Sequence, residues 1–292
     1  MNMKKLLITT IFLFFHLGCE KIEPPYKTTL SDDDIGKTVL VEKFTGHKCS
    51  KCPKASRLLD DIKEFYPKDK IISVAIHPGT SGLTALDEDY SYDFRTNSGD
   101  EIATQVGVTS FIPLGTINRV SGGLNNSQVF IKDNWAQEID KLLYLNGDPI
   151  LPNIEINIEN SFDETTRLLQ TKTTINILNE LSGDYKLCLF IMESNIISPQ
   201  KDDEAENGHT INYEHNNIYR CAINGSFGEE VPNPLTKGLS INTEHVITLT
   251  EENNINWLNT WDNIENCDVV AYLYNTQSGQ IEQVHKKSVI NE

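Results

Sequence analysis

Two cysteines, Cys49 and Cys52, are separated only by a serine and a lysine. Thiols at this spacing can close a small disulfide and reopen it by thiol–disulfide exchange. An apolar run precedes the pair at residues 39–41, and apolar side chains recur at helical spacing after it, which predicts a strand followed by a helix. A helix beginning near Cys49 would direct its amide end at that sulfur, so we expect Cys49 to be the more acidic and more reactive thiol.

Two other interpretations of the cysteine pair stay open on the sequence. A zinc site needs four ligands, and no second pair of closely spaced Cys or His residues accompanies this one, so we predict no metal site. A purely structural disulfide is the stronger alternative, because a fold that can support redox chemistry does not guarantee that the chemistry is used. Redox activity of Cys49 and Cys52 is the favoured interpretation.

The N-terminal segment predicts export and a lipid anchor. Two lysines precede an apolar run at residues 6–15, which is typical of a secretory signal peptide and is shorter than the ~20 residues of a membrane-spanning helix. Gly18 is followed by Cys19, as at the end of a bacterial lipoprotein signal. We therefore predict that residues 1–18 are removed and that Cys19 carries the lipid; ordinary cleavage, with Cys19 an incidental thiol, is the alternative.

The charge balance argues against a nucleic-acid partner. The chain has 25 Lys and Arg against 42 Asp and Glu, a formal net charge of −17, and such a surface repels phosphate backbones. Four acidic residues and one alanine form a loop at residues 202–206, which we interpret as a solvated connection, with calcium binding as a distant alternative.

Cysteine usage is too low for a disulfide scaffold. Besides Cys19 and the closely spaced pair, the chain contains Cys188, Cys221 and Cys267, an odd number that leaves at least one of them outside any internal disulfide. Cys188 and Cys267 lie in strand-like runs, so we predict that both are buried as small hydrophobic side chains.

Hydrophobic periodicity divides the remaining chain into three parts. Residues 19–35 lack periodicity and contain two prolines and a run of acids, which predicts a flexible stalk. Strand-like and helix-like patterns alternate in residues 36–147, which predicts an α/β layer structure. In residues 148–292 the period changes to two, as in the Ile-Glu-Ile-Asn-Ile run that starts at Ile154, which predicts an antiparallel β-sandwich.

Residues 44–53, taken together with Ile112 and Pro113, resemble the active-site region of thioredoxin. In that fold a cis-proline loop faces the two active cysteines and holds an extended substrate strand. The resemblance implies that Pro113 is the cis residue and that Ile112 lies beside it, over the disulfide. It also implies that Cys49 attacks and Cys52 resolves.

The resemblance to thioredoxin breaks at one position. Thioredoxins place a buried acid six residues before the first cysteine, whereas this sequence has Lys43 there and its acid, Glu42, one residue earlier. One residue along a strand turns a side chain to the opposite face. Rapid reduction of the thioredoxin type is therefore not implied.

The chain after the signal peptide resembles a narrower family, the Gram-negative outer-membrane lipoproteins named after a twenty-eight-kilodalton outer membrane protein. Matching stretches are residues 39–53, 92–96, 113–119, 215–220, 224–230 and 261–274. The resemblance implies a lipid-anchored α/β thioredoxin-like domain at residues 36–147, followed by an all-β antiparallel sandwich domain at residues 148–292. It also implies a place in the cell envelope, at the outer membrane.

Two functions are consistent with these patterns. The favoured one is thiol–disulfide exchange on exported or envelope proteins, in which Cys49 attacks, Cys52 resolves, and Pro113 with Ile112 holds the partner's backbone. The alternative is a surface binding or adhesion lipoprotein with a static disulfide. Neither function needs a cofactor, and we expect contact with the membrane only through the lipid on Cys19.

Overall fold

A computed structural model describes residues 36–108, 111–249 and 261–290 of the chain. The predicted signal peptide, the lipidated Cys19 and the stalk at residues 19–35 lie outside these residues and stay predictions. Within the described ranges, every helix is too short or too polar to cross a membrane.

Strands and helices alternate in the first half of the described chain. The elements are β1 (Val39–Phe44), α1 (Cys52–Glu64), β2 (Ile71–Ile76), α2 (Asn97–Gln105), β3 (Leu114–Ile117), β4 (Val129–Phe130), α3 (Trp135–Leu143), β5 (Tyr144–Leu145) and β6 (Asp148–Pro149).

Strand β1 is the centre of this first half. It pairs in parallel with β2, to which α1 is the crossover connection, and antiparallel with β3. Helix α1 buries Leu59 and Ile62, and α3 buries Trp135 and Ile139, in one apolar cluster with β1. Side chains at helical spacing thus cover one face of the strands, as the sequence pattern predicts.

The second half is built from strands. In chain order they are β7 (Ile154–Asp163), β8 (Leu168–Ile177), β9 (Tyr185–Glu193), β10 (Ile196–Lys201), β11 (His209–His215), β12 (Ile218–Ala222), β13 (Glu229–Glu230), β14 (Ser240–Thr248), β15 (Cys267–Asn275) and β16 (Ile281–Ser288).

The strands form two packed sheets and two short hairpins. The large sheet has the order β16-β15-β9-β12-β2-β1-β3-β4, with β13 added against β9, and the second sheet has the order β14-β8-β7. The alternating isoleucines of β7, Ile154, Ile156 and Ile158, pack with Leu189 and Ile191 of β9 between the two sheets. The described structure is therefore mostly β-sheet, with sandwich-like packing and few helices.

The large sheet crosses the predicted boundary between residues 147 and 148. Strands β2 and β12 are joined in parallel where Ile218 pairs with Ala75, and the N–H of Ala75 donates to the carbonyl of Asn217 at 2.7 Å. One apolar cluster unites Phe44 of β1 with Tyr272 of β15. The hydrophobic period changes near residue 148, but the large sheet continues across this position. Local periodicity reports on neighbouring residues and does not indicate which distant strands pair.

Candidate functional site

Cys49 and Cys52 form a disulfide with their Cα atoms 5.4 Å apart. Cys49 lies in the turn after β1, and its N–H donates to the carbonyl of Gly46 at 3.0 Å. Cys52 is the first residue of α1, and Pro53 follows it in the first turn, where its missing N–H costs no helical hydrogen bond. The helix therefore begins three residues later than the sequence analysis suggests, and its amide end lies at Cys52.

Ile112 and Pro113 lie beside this disulfide. The peptide bond between them is cis, and β3 begins at the next residue. The carbonyl oxygen of Ile112 is 3.8 Å from the Sγ atom of Cys49. The tertiary structure thus brings together the four described residues that the sequence analysis assigns to the site, although Ile112 lies 63 positions after Cys49 in the chain.

Gly46 is required by the close packing around this turn. A Cβ atom at Gly46 would lie 2.7 Å from the carbonyl oxygen of Leu83 and 3.0 Å from a methyl group of Ile112. Next to Ile112, the side chain of Phe111 is 67% exposed, and Leu83 is 37% exposed. The segments that contact this turn therefore carry two apolar side chains that face solvent.

Both cysteines are buried, Cys49 with 4% and Cys52 with 1% of the residue surface exposed. Part of the cover comes from the second half of the chain. The N–H of Lys201 donates to the carbonyl of His47 at 2.8 Å, and the N–H of Asp203 donates to the carbonyl of Ser50 at 3.0 Å. We call residues 200–204, at the end of β10 and just after it, the covering segment.

The side chain of Gln200 completes this attachment. Its Nε2 atom donates to the carbonyl of Cys49 at 3.1 Å and to the carbonyl of Gly46 at 3.2 Å. Gln200 is itself buried. The covering segment is thus held to the cysteine loop by main-chain and side-chain hydrogen bonds of the kind that join two strands.

Ion pairs fasten the covering segment to α1. Both terminal nitrogens of Arg57 donate to the carboxylate of Asp202, at 2.8 and 3.0 Å, and one also reaches Glu204 at 2.7 Å. Lys54 pairs with Glu204 at 3.0 Å. The hydrogen bonds from Arg57 hold the pKa of Asp202 below its usual range. The interpretation of residues 202–206 as a solvated connection was therefore wrong for Asp202, because its partners lie 145 residues earlier in the chain.

A small polar cavity with a volume of about 60 Å³ lies beside Cys52. Its lining includes Lys43 of β1, Cys52 and Ser56 of α1, His77 after β2, and His215 of β11. Cys49 is not among the lining residues. Cys52 thus borders a polar cavity that Cys49 does not line.

Lys43 points into this cavity from the strand that precedes the cysteine loop. Its Nζ atom donates to the hydroxyl of Ser56 at 2.6 Å, and that hydroxyl donates to the carbonyl of Cys52 at 3.2 Å. Burial lowers the pKa of Lys43 to about 8, because an ammonium loses its hydration in the cavity. Lys43 can therefore gain or lose its proton near neutral pH.

Two buried histidines form the opposite wall. Neither ring nitrogen of His77 has a hydrogen-bond partner among the described residues, and the ring stacks on Phe94 with 4.7 Å between centroids. His215 lies with Nε2 3.2 Å from the carbonyl oxygen of Ser198. Burial lowers the pKa of His77 well below its usual value and that of His215 to about 3, so both rings are neutral at pH 7.

Glu42 and its neighbour Lys43 have different partners, as their successive positions on β1 predict. Its carboxylate accepts hydrogen bonds from Nε of Arg119 at 2.8 Å and from the hydroxyl of Thr116 at 2.6 Å. Arg119 also donates to the hydroxyl of Tyr272 at 3.1 Å. Glu42 therefore belongs to a buried ion pair within the first half of the chain, and Arg119 extends this network to Tyr272 of the second half.

Among the residues that the structure describes, no group of three or more His, Cys, Asp or Glu side chains is arranged to hold a metal ion.

Cys188 and Cys267 are buried, which confirms the prediction that both are buried as small hydrophobic side chains. Burial raises the pKa of Cys188 to about 11, so its thiol is inert at neutral pH.

The sheets and the buried cysteine pair define a β-rich, two-sheet protein with a disulfide after its first strand. The family model described as outer membrane protein Omp28 matches residues 100–292, about two thirds of the chain. The chain belongs to this family of outer membrane proteins, and membership assigns it to the envelope at the outer membrane. No curated protein matches the sequence.

One solved structure shows which fold the chain shares. HBP35 of Porphyromonas gingivalis is similar over 88% of this chain and 76% of that chain, with a TM-score of 0.62 and 14% identity. A domain of the outer membrane lipoprotein Omp28 from the same organism is similar over 47% of this chain and 88% of its own, with a TM-score of 0.33 and 16% identity. β-Glucosidase 3B from Thermotoga neapolitana is similar over 48% of this chain and 16% of that chain, with a TM-score of 0.23 and 13% identity.

Proposed function

We propose that this outer membrane protein exchanges disulfides with exported or envelope proteins through Cys49 and Cys52. The observation that carries the proposal is the position of the cis Ile112–Pro113 segment, with the Ile112 carbonyl 3.8 Å from the Sγ atom of Cys49. At that distance, the backbone of residues 112–113 can hold an extended segment of a partner protein next to the Cys49 sulfur. The order β1-α1-β2, with β3 antiparallel to β1, supports a thioredoxin-like unit within residues 36–147.

In the proposed reaction the reduced pair donates two electrons to a partner disulfide. The Cys49 thiolate attacks one partner sulfur, forming a mixed disulfide and releasing the other partner sulfur as a thiolate. Cys52 then loses its proton and attacks the Sγ atom of Cys49, which restores the internal disulfide and frees the partner. Pro113 and Ile112 hold the partner's backbone, and the exposed Phe111 supplies apolar contact. The same steps in reverse would oxidise a partner dithiol.

We also propose that a lipid on Cys19 holds this chemistry at the membrane. The pattern of residues 1–19 supports this proposal, since the apolar run at residues 6–15 is too short for a spanning helix and a cysteine follows it at position 19. The partners are then proteins within reach of a tether of residues 19–35, which spans at most roughly 60 Å when fully extended.

A second candidate function is a binding or adhesion protein in which the disulfide is static. The burial of Cys49 and Cys52 beneath the covering segment favours this candidate, because exchange requires an attacking thiolate to reach sulfur in line. The two proposals differ in one measurable property, the accessibility of the disulfide to mild reductants.

Trapping tests the exchange proposal directly. A Cys52→Ser protein recovered from its native envelope should carry partners linked to Cys49 as mixed disulfides on non-reducing electrophoresis, and Cys49→Ser should carry none. A Cys221→Ser variant is the matched control, since it removes a cysteine distant from the site in sequence. If no adduct depends on Cys49, and the wild-type pair also fails to equilibrate with glutathione buffers, exchange is wrong and the static-bridge function takes its place.

A further inference from the structure

The polar cavity beside Cys52 gives this residue surroundings that Cys49 does not share. Cys52 lines it together with Lys43, Ser56 and two histidines, whereas Cys49 does not line it. A volume of about 60 Å³ exceeds the roughly 10–15 Å³ that one water molecule requires, so water in the cavity can connect the polar groups on its walls.

Among the buried groups of this cavity, Lys43 is the one that can change charge near neutral pH. Burial lowers its pKa to about 8, while Asp60 on the next turn of α1 raises that pKa and Lys63 lowers it. His77 and His215 stay neutral, because burial lowers the pKa of both rings.

Other groups that face the cavity do not take this role. Burial raises the pKa of Tyr213 on β11, so its hydroxyl stays protonated. The neighbouring Glu214 also lines the cavity, but it is exposed and lies at the rim. The positive charge of Arg220 on β12 contributes to the lowered pKa of His77.

We propose that Lys43 exchanges a proton with Cys52, through the cavity, during the disulfide exchange proposed above. This proposal rests on the disulfide-exchange function, and it adds the residue that gives a proton to Cys52 or takes one from it. Lys43 also places its ammonium next to the Cys52 turn through the hydroxyl of Ser56, which fixes the direction of the amine.

The proton balance follows from the two forms of the lysine. When the internal disulfide is broken by a partner thiolate, Cys52 leaves as a thiolate and takes a proton from the Lys43 ammonium, which becomes an amine. When the mixed disulfide on Cys49 is resolved, the Cys52 thiol gives its proton to the amine and attacks the Sγ atom of Cys49, and the partner leaves as a thiolate. Electrons move only between sulfurs, and the lysine returns to its starting form.

The test uses the reduced full-length protein and oxidised glutathione. One glutathione is released when Cys49 is glutathionylated and a second when Cys52 resolves that mixed disulfide, so stopped-flow detection separates the steps. In the wild type the second rate should rise with pH through about 8, the pKa of Lys43, and then level off. In Lys43→Met it should fall about 100-fold at pH 8, the lower end of the effect of a general base, and its midpoint should move to higher pH.

Lys51→Met is the matched control, since Lys51 is an exposed lysine between the two cysteines. It should keep the wild-type midpoint of the second step. A Lys43→Met protein with the wild-type midpoint would overturn the inference while the exchange function stands. A wild-type protein that never releases the second glutathione would overturn the exchange function itself.

A measurement on the unaltered protein covers the case in which Lys43→Met does not fold. NMR of protein labelled at the lysine side chains follows the titration of Lys43 in the oxidised and the reduced protein. A shared proton predicts a different midpoint in the two redox states, because only the reduced state contains a titrating Cys52. The same midpoint in both states would contradict the inference.

Discussion

The guanidinium of Arg119 forms a fully buried ion pair with the carboxylate of Glu42, and Nε lies 2.8 Å from Oε2. Arg119 also contacts Tyr272 of the second half, with its guanidinium carbon 5.3 Å from the ring centroid. The pair thus links β1 to β15 across the packed face of the large sheet.

Removing one member of this pair should destabilise the whole chain. Arg119→Met leaves the Glu42 carboxylate buried without its cation, so we expect a loss of about 3–5 kcal/mol in the free energy of unfolding. Urea denaturation measures this loss. Lys141→Met is the control, because Lys141 pairs with Glu138 at the surface, and it should cost less than about 1 kcal/mol. Equal losses in the two variants would contradict the assignment.

Loosening the covering segment should expose the disulfide. Arg57→Gln removes the ion pairs to Asp202 and Glu204, which are partly exposed and worth about 0.2–1 kcal/mol each. We expect dithiothreitol to reduce the variant about twofold to fivefold faster than the wild type at low salt, with a smaller difference at high salt. Lys141→Gln should leave the rate unchanged. A wild-type rate in Arg57→Gln would show that the ion pairs do not limit access to sulfur.

Acid should destabilise the protein through His215. The pKa of this histidine is about 3 in the folded protein, whereas an unperturbed histidine has a pKa of 6.5, so below pH 6.5 the unfolded chain binds a proton that the folded chain does not. The free energy of unfolding should therefore fall as the pH drops from 6.5 toward 3, by at most about 1.4 kcal/mol per pH unit for this one group.

His215→Asn tests this linkage by urea unfolding at pH 7 and pH 5. The variant should lose about 2 kcal/mol less than the wild type between the two conditions, because it has no imidazole to protonate. His209→Asn removes an exposed histidine from the same strand and should behave as the wild type does. Parallel pH profiles for His215→Asn and the wild type would rule out the proposed cause.

The strands of residues 148–292 should fold without the first half, but less stably. The cluster between the two sheets is contained in this segment, so we expect a cooperative unfolding transition. The face that contacts β1 and β2 would be exposed, with Phe190, Tyr219 and Tyr272 in contact with water. The isolated fragment should therefore unfold at lower urea than the full chain and bind an apolar dye. A disordered fragment would show that the two halves form one folding unit.

The lipid on Cys19 is tested by fractionation. Cys19→Ala should move the protein from the membrane to the soluble fraction, because the apolar run before it is too short to remain as an anchor. Mass spectrometry of the wild-type N-terminal peptide should find acyl chains on Cys19. Unchanged membrane association of the variant, without acyl chains on the wild type, would refute the anchor.

The sequence by itself determined the local features of this protein. The spacing of Cys49 and Cys52 and the helical recurrence of Leu59 and Ile62 are properties of neighbouring residues, and local periodicity was enough to predict them. The strand position of Glu42 and Lys43 likewise placed their side chains on opposite faces. Burial of Cys188 followed from its apolar run.

The tertiary structure decided everything that depends on contacts between distant segments. The covering segment docks on the cysteine loop about 150 residues earlier, and the large sheet joins Ala75 to Ile218, because main-chain hydrogen-bonding groups pair wherever the fold brings them together. Which partner Arg119 takes, and which histidines surround Lys43, likewise depend on packing and have no signature in sequence spacing. The pKa of Lys43 follows from that packing, since the free energy of a buried charge is set by what surrounds it in space.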